Sequence, residues 1–274
     1  MRSPVPVLVP PSAWDACFYT RHPAFEALAP AASRFAHFAA WPAVDAWNDA
    51  LRDLALATAT GAALRFVPQP PRRKTRDPIE PTTLYEVRIC ELGEVPSRAA
   101  HWHDFLNMLC WATFTRAKRA LNARQRRAVR AWLPAGATRL PGARTREQDA
   151  LAILDEGGAV VPCLAPCARE LQSAIACDDL DAVADLVRAA KATVIPFGHA
   201  SFEHLVARHA TVRAMPVVLP MSALPRAMVD LVDAADRALA LRLDDPCFLT
   251  VPCEDPALPM SDALFDFTPR GDRT

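Results

Sequence analysis

Apolar residues recur at helical spacing over residues 24–32 and again over 43–60, where Gly61 stands as the expected stop. Leu64-Arg65-Phe66-Val67 predicts a short strand, and residues 68–81 a loop rich in Pro and Arg. Residues 84–92 alternate apolar with polar and meet Gly93, which predicts a second strand. A helical pattern then runs over residues 99–133, with a break expected near Thr115. Pro134, Gly136, Pro141 and Gly142 end it. Thr145 with Gln148 three residues on forms the signature of a capping box, and Gly157-Gly158 is a stop. Residues 178–192 read as an acidic amphipathic helix. Residues 193–197 read as a short strand, Gly198 opens a helix reaching about His209, and residues 214–219 are extended and apolar. Residues 225–241 read as the last helix, before an irregular tail over 246–274 that frays from Arg270. No internal repeat or linker interrupts the chain. The pattern predicts one α+β domain over 1–274, predominantly helical, with short strands at about 64–67, 84–92 and 193–197.

Composition narrows the class. A chain of 274 residues that is 51% hydrophobic can bury a sizeable core. No apolar run reaches the roughly 18 residues that span a bilayer, and the start lacks the continuous apolar stretch of a secretory signal. A cytoplasmic protein with no membrane partner is expected. The eight Cys are scattered, several in apolar surroundings, as reduced buried thiols would be. Cys163 and Cys167, with three residues between them and no second pair nearby, make a weak metal or redox signal.

The zero net charge hides an asymmetry. Residues 72–146 hold sixteen basic and six acidic residues, and residues 147–274 hold ten basic and twenty acidic. Either the two parts dock and neutralise each other, or the basic region offers a surface to a phosphorylated ligand or nucleic acid.

Candidate chemistry lies where polar groups interrupt packing. His101-Trp102-His103-Asp104-Phe105-Leu106-Asn107 places four such groups in a segment otherwise built to be buried, where an unpartnered polar group costs ~1–3 kcal/mol. His103 and Asn107 share a helix face that Cys110 and Phe114 continue. Asp104, beside it, is suited to orient an imidazole or bind a metal. Lys118 is one of three Lys against 28 Arg, an outlier suited to contacting phosphate or tuning a proton transfer. Asp155 and Glu156 sit at a helix C-terminus, where the dipole disfavours acids by ~0.3–1 kcal/mol, so partners are expected for them. Asp149 shares the face of Glu156 two turns away. His199 and Glu203, four apart after Gly198, are two ligands or a base with its orienting group. The second His of the zinc-peptidase motif is missing, and no phosphate-binding Gly-rich loop, dinucleotide fingerprint or Ser nucleophile elbow is present.

Taken in order, these motifs resemble a bacterial family designated domain of unknown function 3025. The resemblance rests on Tyr85-Glu86 through Gly93, Pro96-Ser97-Arg98, Trp102-His103-Asp104 with Asn107, Lys118 to Asn122, Arg146 to Gly157, and Phe197-Gly198-His199 with Glu203. It covers most of residues 64–205. The family usually carries Asn at position 101 and Pro at 115, where this chain has His101 and Thr115. The resemblance therefore implies His103 rather than His101 as a ligand. It implies no activity.

The expectation is that His103, Asp104, Asn107, Asp155, Glu156, His199 and Glu203 gather around one pocket. Asp104, Asn107, Lys118 and Glu156 would be catalytic. His103, His199, Glu203 and Asp155 would hold a divalent metal, Zn, Mn or Fe. The first functional reading is a metal-assisted hydrolase of a phosphate-bearing substrate. The second is a non-catalytic protein binding nucleic acid or a nucleotide through residues 72–146, and the third a structural or assembly protein with a buried polar network. Convergence of the named side chains separates the first from the third.

Overall fold

The computed structural model describes residues 13–70, 78–207, 212–251 and 258–265. It shows a mostly helical α+β domain with two small sheets, one of two strands and one of four. The N-terminal part is built from short turns: a 3-10 turn at Pro23–Leu28 runs into α1 (Ala29–Ala32), and α2 (Val44–Ala50) follows. The helix expected over 43–60 is thus much shorter. A 3-10 turn at Arg52–Leu54 ends in Ala55 with φ +46°, and the Thr58 and Thr60 hydroxyls donate to the Cys90 carbonyl instead of lying along a helix.

β1 (Arg65–Pro68) pairs in parallel with β2 (Glu94–Ser97), and α3 (Tyr85–Leu92) is the crossover between them. The strand expected at 84–92 is therefore a helix. Val87, Ile89 and Cys90 are its buried positions, so the alternation seen in the sequence came from a helix only eight residues long. Gly93 ends it at φ +69°, and a Cβ there would lie 2.1 Å from the Ala63 carbonyl oxygen, so only glycine lets the chain turn into β2.

α4 (Trp102–Thr113) and α5 (Thr115–Trp132) follow, broken at Phe114, one residue from the expected place. α4 is anchored by aromatic packing on its core face. Trp102 stacks on Trp14 at 5.5 Å and meets Phe18 and Trp41 edge-on, and Phe105 packs against Trp14, Phe35 and Trp47. Each such pair contributes ~0.5–1.5 kcal/mol beyond burial. α6 (Arg146–Gly157) begins with the expected capping box.

The four-stranded sheet lies mostly beyond that point. β3 (Gly158–Leu164), followed by α7 (Ala168–Ala176) and α8 (Leu180–Arg188), is joined by β4 (Ile195–Pro196). α9 (His199–Val206), β5 (Arg213–Met221), α10 (Met228–Asp244) and β6 (Leu258–Pro259) complete the order β4-β3-β5-β6. β3 and β5 run parallel; β4 and β6 are short antiparallel edges. Neither β3 nor α7 was expected. Pro162 argues against a central strand in the sequence, but its carbonyl accepts from Thr193 on the β4 side, beyond the reach of β4 itself, so the missing N–H costs the β3–β5 ladder nothing. The acidic helix of 178–192 is α8 alone, capped by Asp179.

The basic and acidic parts meet. Arg116 pairs with Asp233 and Asp236, Lys118 with Asp155, and Arg124 with Glu147. Other basic residues are held within their own region: Arg126 and Arg130 by Glu91, Arg88 by Glu94, Arg98 by Asp104. The run 72–76 and the tail from Arg270 lie outside the described residues. The described cysteines are free thiols, Cys163 and Cys167 among them. No helix among the described residues is long and apolar enough to cross a membrane.

Candidate functional site

α4, α6 and α9 meet around a polar cleft of about 420 Å³. The aromatic packing of α4 holds its opposite edge, with His103, Asp104 and Asn107, toward this cleft. α9 arrives end-on. A Cβ on Gly198 would lie 2.4 Å from the Glu156 carbonyl carbon and oxygen, so glycine alone allows the start of α9 to rest on the end of α6. That approach sets His199 beside Asp155.

Three charge-bearing groups result. In the first, Glu203 Oε2 accepts from His103 Nδ1 at 2.8 Å, and His103 Nε2 faces His199 Nε2 at 3.0 Å. His103 is half-buried and His199 buried. Burial works against the His103 imidazolium, but the Glu203 hydrogen bond and charge, with the Asp104 charge, outweigh it and raise His103 above the ordinary imidazole value. Burial dominates at His199 and pushes it down to about 3; the Asp155 charge opposes this, and Lys118 and His103 add to it. The opposite shifts make His103 the ring that holds the proton between the two and His199 the neutral acceptor. The second nitrogen of His199, Nδ1, is buried with no hydrogen bond of acceptable geometry, although the Asp155 backbone carbonyl favours a proton on this ring.

In the second group, buried Lys118 donates to Asn107 Oδ1 at 2.9 Å and to Asp155 Oδ1, and lies over the Trp111 ring. Burial would raise Asp155, but the Lys118 and His199 charges and the Lys118 hydrogen bond hold it below the ordinary carboxylate range. Asn107 Nδ2 donates to the Tyr85 hydroxyl at 3.0 Å. The Tyr85 ring is exposed at the cleft mouth, whereas its hydroxyl points inward, where burial and the Asp155 charge raise its pKa. In the third group, Asp104 accepts from the Arg98 backbone N–H at 2.6 Å and from its guanidinium at 2.9 and 2.7 Å. Against burial, Arg98 holds the Asp104 carboxyl low. His101 sits just outside, 3.9 Å from Asp104.

The structure brings together all the residues expected at one pocket. His103, Asp104, Asn107, Asp155, Glu156 and His199 line the cleft; Glu203 stands behind His103, and the catalytic candidate Lys118 lies behind Asn107 and Asp155 rather than in the lining. Asp149 is exposed and does not line the cleft. Tyr85, Glu86 and Arg98, which carried the resemblance but were not expected at the site, also line it, as does Arg144. Reading 84–92 as a strand gave Tyr85 and Glu86 the wrong direction. Arg98 is called for by Asp104 alone, six residues on.

The metal expectation meets the donor set unevenly. Two nitrogens on one tetrahedral ion stand about 3.3–3.4 Å apart, close to the spacing of the two Nε2 atoms. The carboxylates face elsewhere: Glu203 holds His103 Nδ1 and Asp155 holds Lys118. Among the described residues no group of three or more His, Cys, Asp or Glu is arranged to hold a metal. Two nitrogens without a carboxylate do not make the expected four-ligand site. Charge also tells against a phosphate. Arg98 and Lys118 are each committed to a carboxylate, which leaves Arg144 as the one cation lining the cleft without an ion pair among the described residues.

A family model described as protein of unknown function (DUF3025) matches residues 64–256. No curated protein and no solved structure shows a significant match to the chain.

Proposed function

The chain belongs to the DUF3025 family of proteins of unknown function, and we propose that its cleft is the active site of an enzyme that moves a proton through His103. The observation that carries this reading is the line Glu203–His103–His199 opening into a polar cleft. Glu203 fixes the ring and keeps Nδ1 protonated, the standard means of making the other nitrogen an efficient acid or base. His199 is too weak a base to take the proton it is offered. A substrate or water entering the cleft therefore competes with it on favourable terms. As water adds to the substrate and the bond to the leaving group breaks, His103 gives its Nε2 proton to that group, and its freed lone pair takes up the proton the added water releases, which restores the ring. Of the two rings, His103 is the one raised above the ordinary imidazole value, which makes it the proton carrier of the pair.

Hydrolysis of a small polar molecule fits this arrangement better than transfer through a covalent enzyme intermediate. The Cys110 thiol is buried and pushed up to about 12, and the Ser201 hydroxyl is buried with no hydrogen-bond partner among the described residues, so neither is an activated nucleophile. Water is left as the attacking group, with Asn107, Tyr85 and Arg144 to orient what enters.

Imidazole resonances followed by NMR against pH test the reading without a substrate. His103 is expected to titrate above 6.5 and to drop in Glu203→Gln, while His199 stays neutral to below pH 5. Ordinary, independent titration of both rings would remove the coupled pair and the mechanism with it. Where turnover is found, His103→Ala should lower kcat by ~10²–10⁴-fold.

A further inference from the structure

The cleft does not end at its polar wall. A side chamber of about 140 Å³ adjoins it, and the two share Tyr85, Glu86, Gln125, Arg144 and Ala152. Its own lining is largely apolar: Leu84, Val129, Trp132 and Leu140. Leu140 is 52% exposed and Tyr85 40%, so apolar surface is left open at the chamber. A cavity of about 150 Å³ accommodates one benzene ring. The chamber is therefore of a size for a single ring or a branched aliphatic chain.

The junction between the chambers carries charge of both signs. Glu86 and Arg144 line both chambers, and neither side chain enters an ion pair or hydrogen bond among the described residues. This contrasts with the rest of the cleft, where Asp104, Asp155 and Glu203 each have a partner. Glu156, also without an ion pair among the described residues, faces the polar chamber. Arg144 is held in place by its neighbours. The Trp132 indole N–H donates to the Ala143 carbonyl at 2.6 Å, and the Thr145–Gln148 capping box fixes the next residue.

We infer that the junction binds the α-carbon unit of an amino acid with an apolar side chain. Its carboxylate lies on Arg144 and its ammonium on Glu86, with the side chain in the chamber beside Trp132. A carboxylate and an ammonium on one carbon, with an apolar group as third substituent, match an acid, a base and an apolar chamber at one junction. The guanidinium offers the planar fork that a carboxylate fills. The inference names the substrate class for the acid–base site and rests on that reading, since the junction and His103 line the same cleft.

Calorimetric titration of the full chain tests it with L-phenylalanine, 2-phenylethylamine, 3-phenylpropanoate and glycine as probes. Phenylalanine is expected to bind, and each of the other three, lacking one recognised group, at least tenfold more weakly. Arg144→Gln should bind phenylalanine and 2-phenylethylamine alike. Glu86→Gln should do the same for phenylalanine and 3-phenylpropanoate. Leu140→Ser, at an exposed position, should weaken phenylalanine several-fold without a change in fold. No binding of phenylalanine at millimolar concentration, equal binding of all four probes, or unchanged discrimination in both charge variants overturns the inference. Binding needs no proton transfer, so His103→Ala should keep it. Phenylalanine binding by a chain whose imidazoles titrate ordinarily supports the ligand class while sinking the catalytic reading. Turnover that depends on His103 in a chain deaf to all four probes does the reverse.

Discussion

Lys118 is the buried cation on which the cleft floor rests. Its side chain is 3% exposed, and its ammonium joins Asn107 of α4 to Asp155 of α6. Removing it leaves the Asn107 carbonyl without a donor and Asp155 with the Gln125 side chain but no cation, and breaking one side of a buried pair costs ~3–5 kcal/mol. Asp155 keeps 17% exposure, so Lys118→Met is expected near the low end, about 3 kcal/mol in urea unfolding. Adding Asp155→Leu removes the orphaned charge, and the double variant should be more stable than Lys118→Met alone. Equal or greater loss in the double variant would mean that packing, not charge, is what Lys118 provides. The same residue shows what could be read from the sequence at this scale. A Lys in a chain that writes Arg, and an acid at a helix C-terminus in need of a partner, each pointed to a contact, and they turn out to be each other's. Arg144 and Glu86 gave no such sign, because an unpaired surface charge looks like any other until the chamber beside it is known.

Between elements, the decisive contact is the seat of α9 on α6. Gly198→Ala places a methyl group 2.4 Å from the Glu156 carbonyl, which neither backbone can yield without moving His199 away from Asp155. Overpacking of this kind costs ~1–3 kcal/mol. Thermal unfolding should show that loss, and the His199 ring should titrate closer to its ordinary value as its site opens. Gly157→Ala is the control. A Cβ there meets nothing within 4 Å and the backbone needs no positive φ, so about 0.4–1 kcal/mol of stabilisation is expected from the stiffer unfolded chain. Elements with local punctuation were legible: the capping box of α6, the α4–α5 break, and the turn at Gly198 before α9. Those defined by tertiary pairing were not. Alternation over eight residues cannot distinguish α3 from a strand, because a single amphipathic helical turn on either side of a buried face gives the same pattern. β3 hid behind Pro162, whose tolerance depends on where β4 ends. α7 is apolar only on the face it turns to the sheet, and its start follows a Pro-containing 3-10 turn without a side-chain cap.

On the scale of the whole molecule, the two halves of opposite charge are joined by ion pairs, yet pH rather than salt is the stronger handle on stability. Arg116–Asp233 is about half-exposed on both sides, and such pairs each contribute ~0–1 kcal/mol and are screened. The imidazoles act differently, because their two shifts have opposite sign. His103 is raised in the folded state, so its contribution is fully present below about 6.5 and is lost as pH rises through the folded value. His199 is depressed to about 3, so its contribution is present above 6.5 and is lost as pH falls. Between about 6.5 and the folded value of His199, the unfolded chain takes up a proton that the folded chain refuses. Stability then falls by up to about 1.4 kcal/mol per pH unit. The lowered carboxylates Asp104, Asp155 and Glu203 add to the loss only as pH enters their own range, nearer 4. Urea unfolding should therefore show greatest stability near neutrality and a loss on the order of 2 kcal/mol by pH 5, before the carboxylates titrate. His199→Gln, which keeps a polar side chain but cannot take a proton in this range, should flatten the curve between pH 7 and 5 while leaving the fall below 4. An unchanged slope in that variant would show that His199 is hydrated in the folded chain, and the neutral acceptor on which the His103 proton relay depends would be lost.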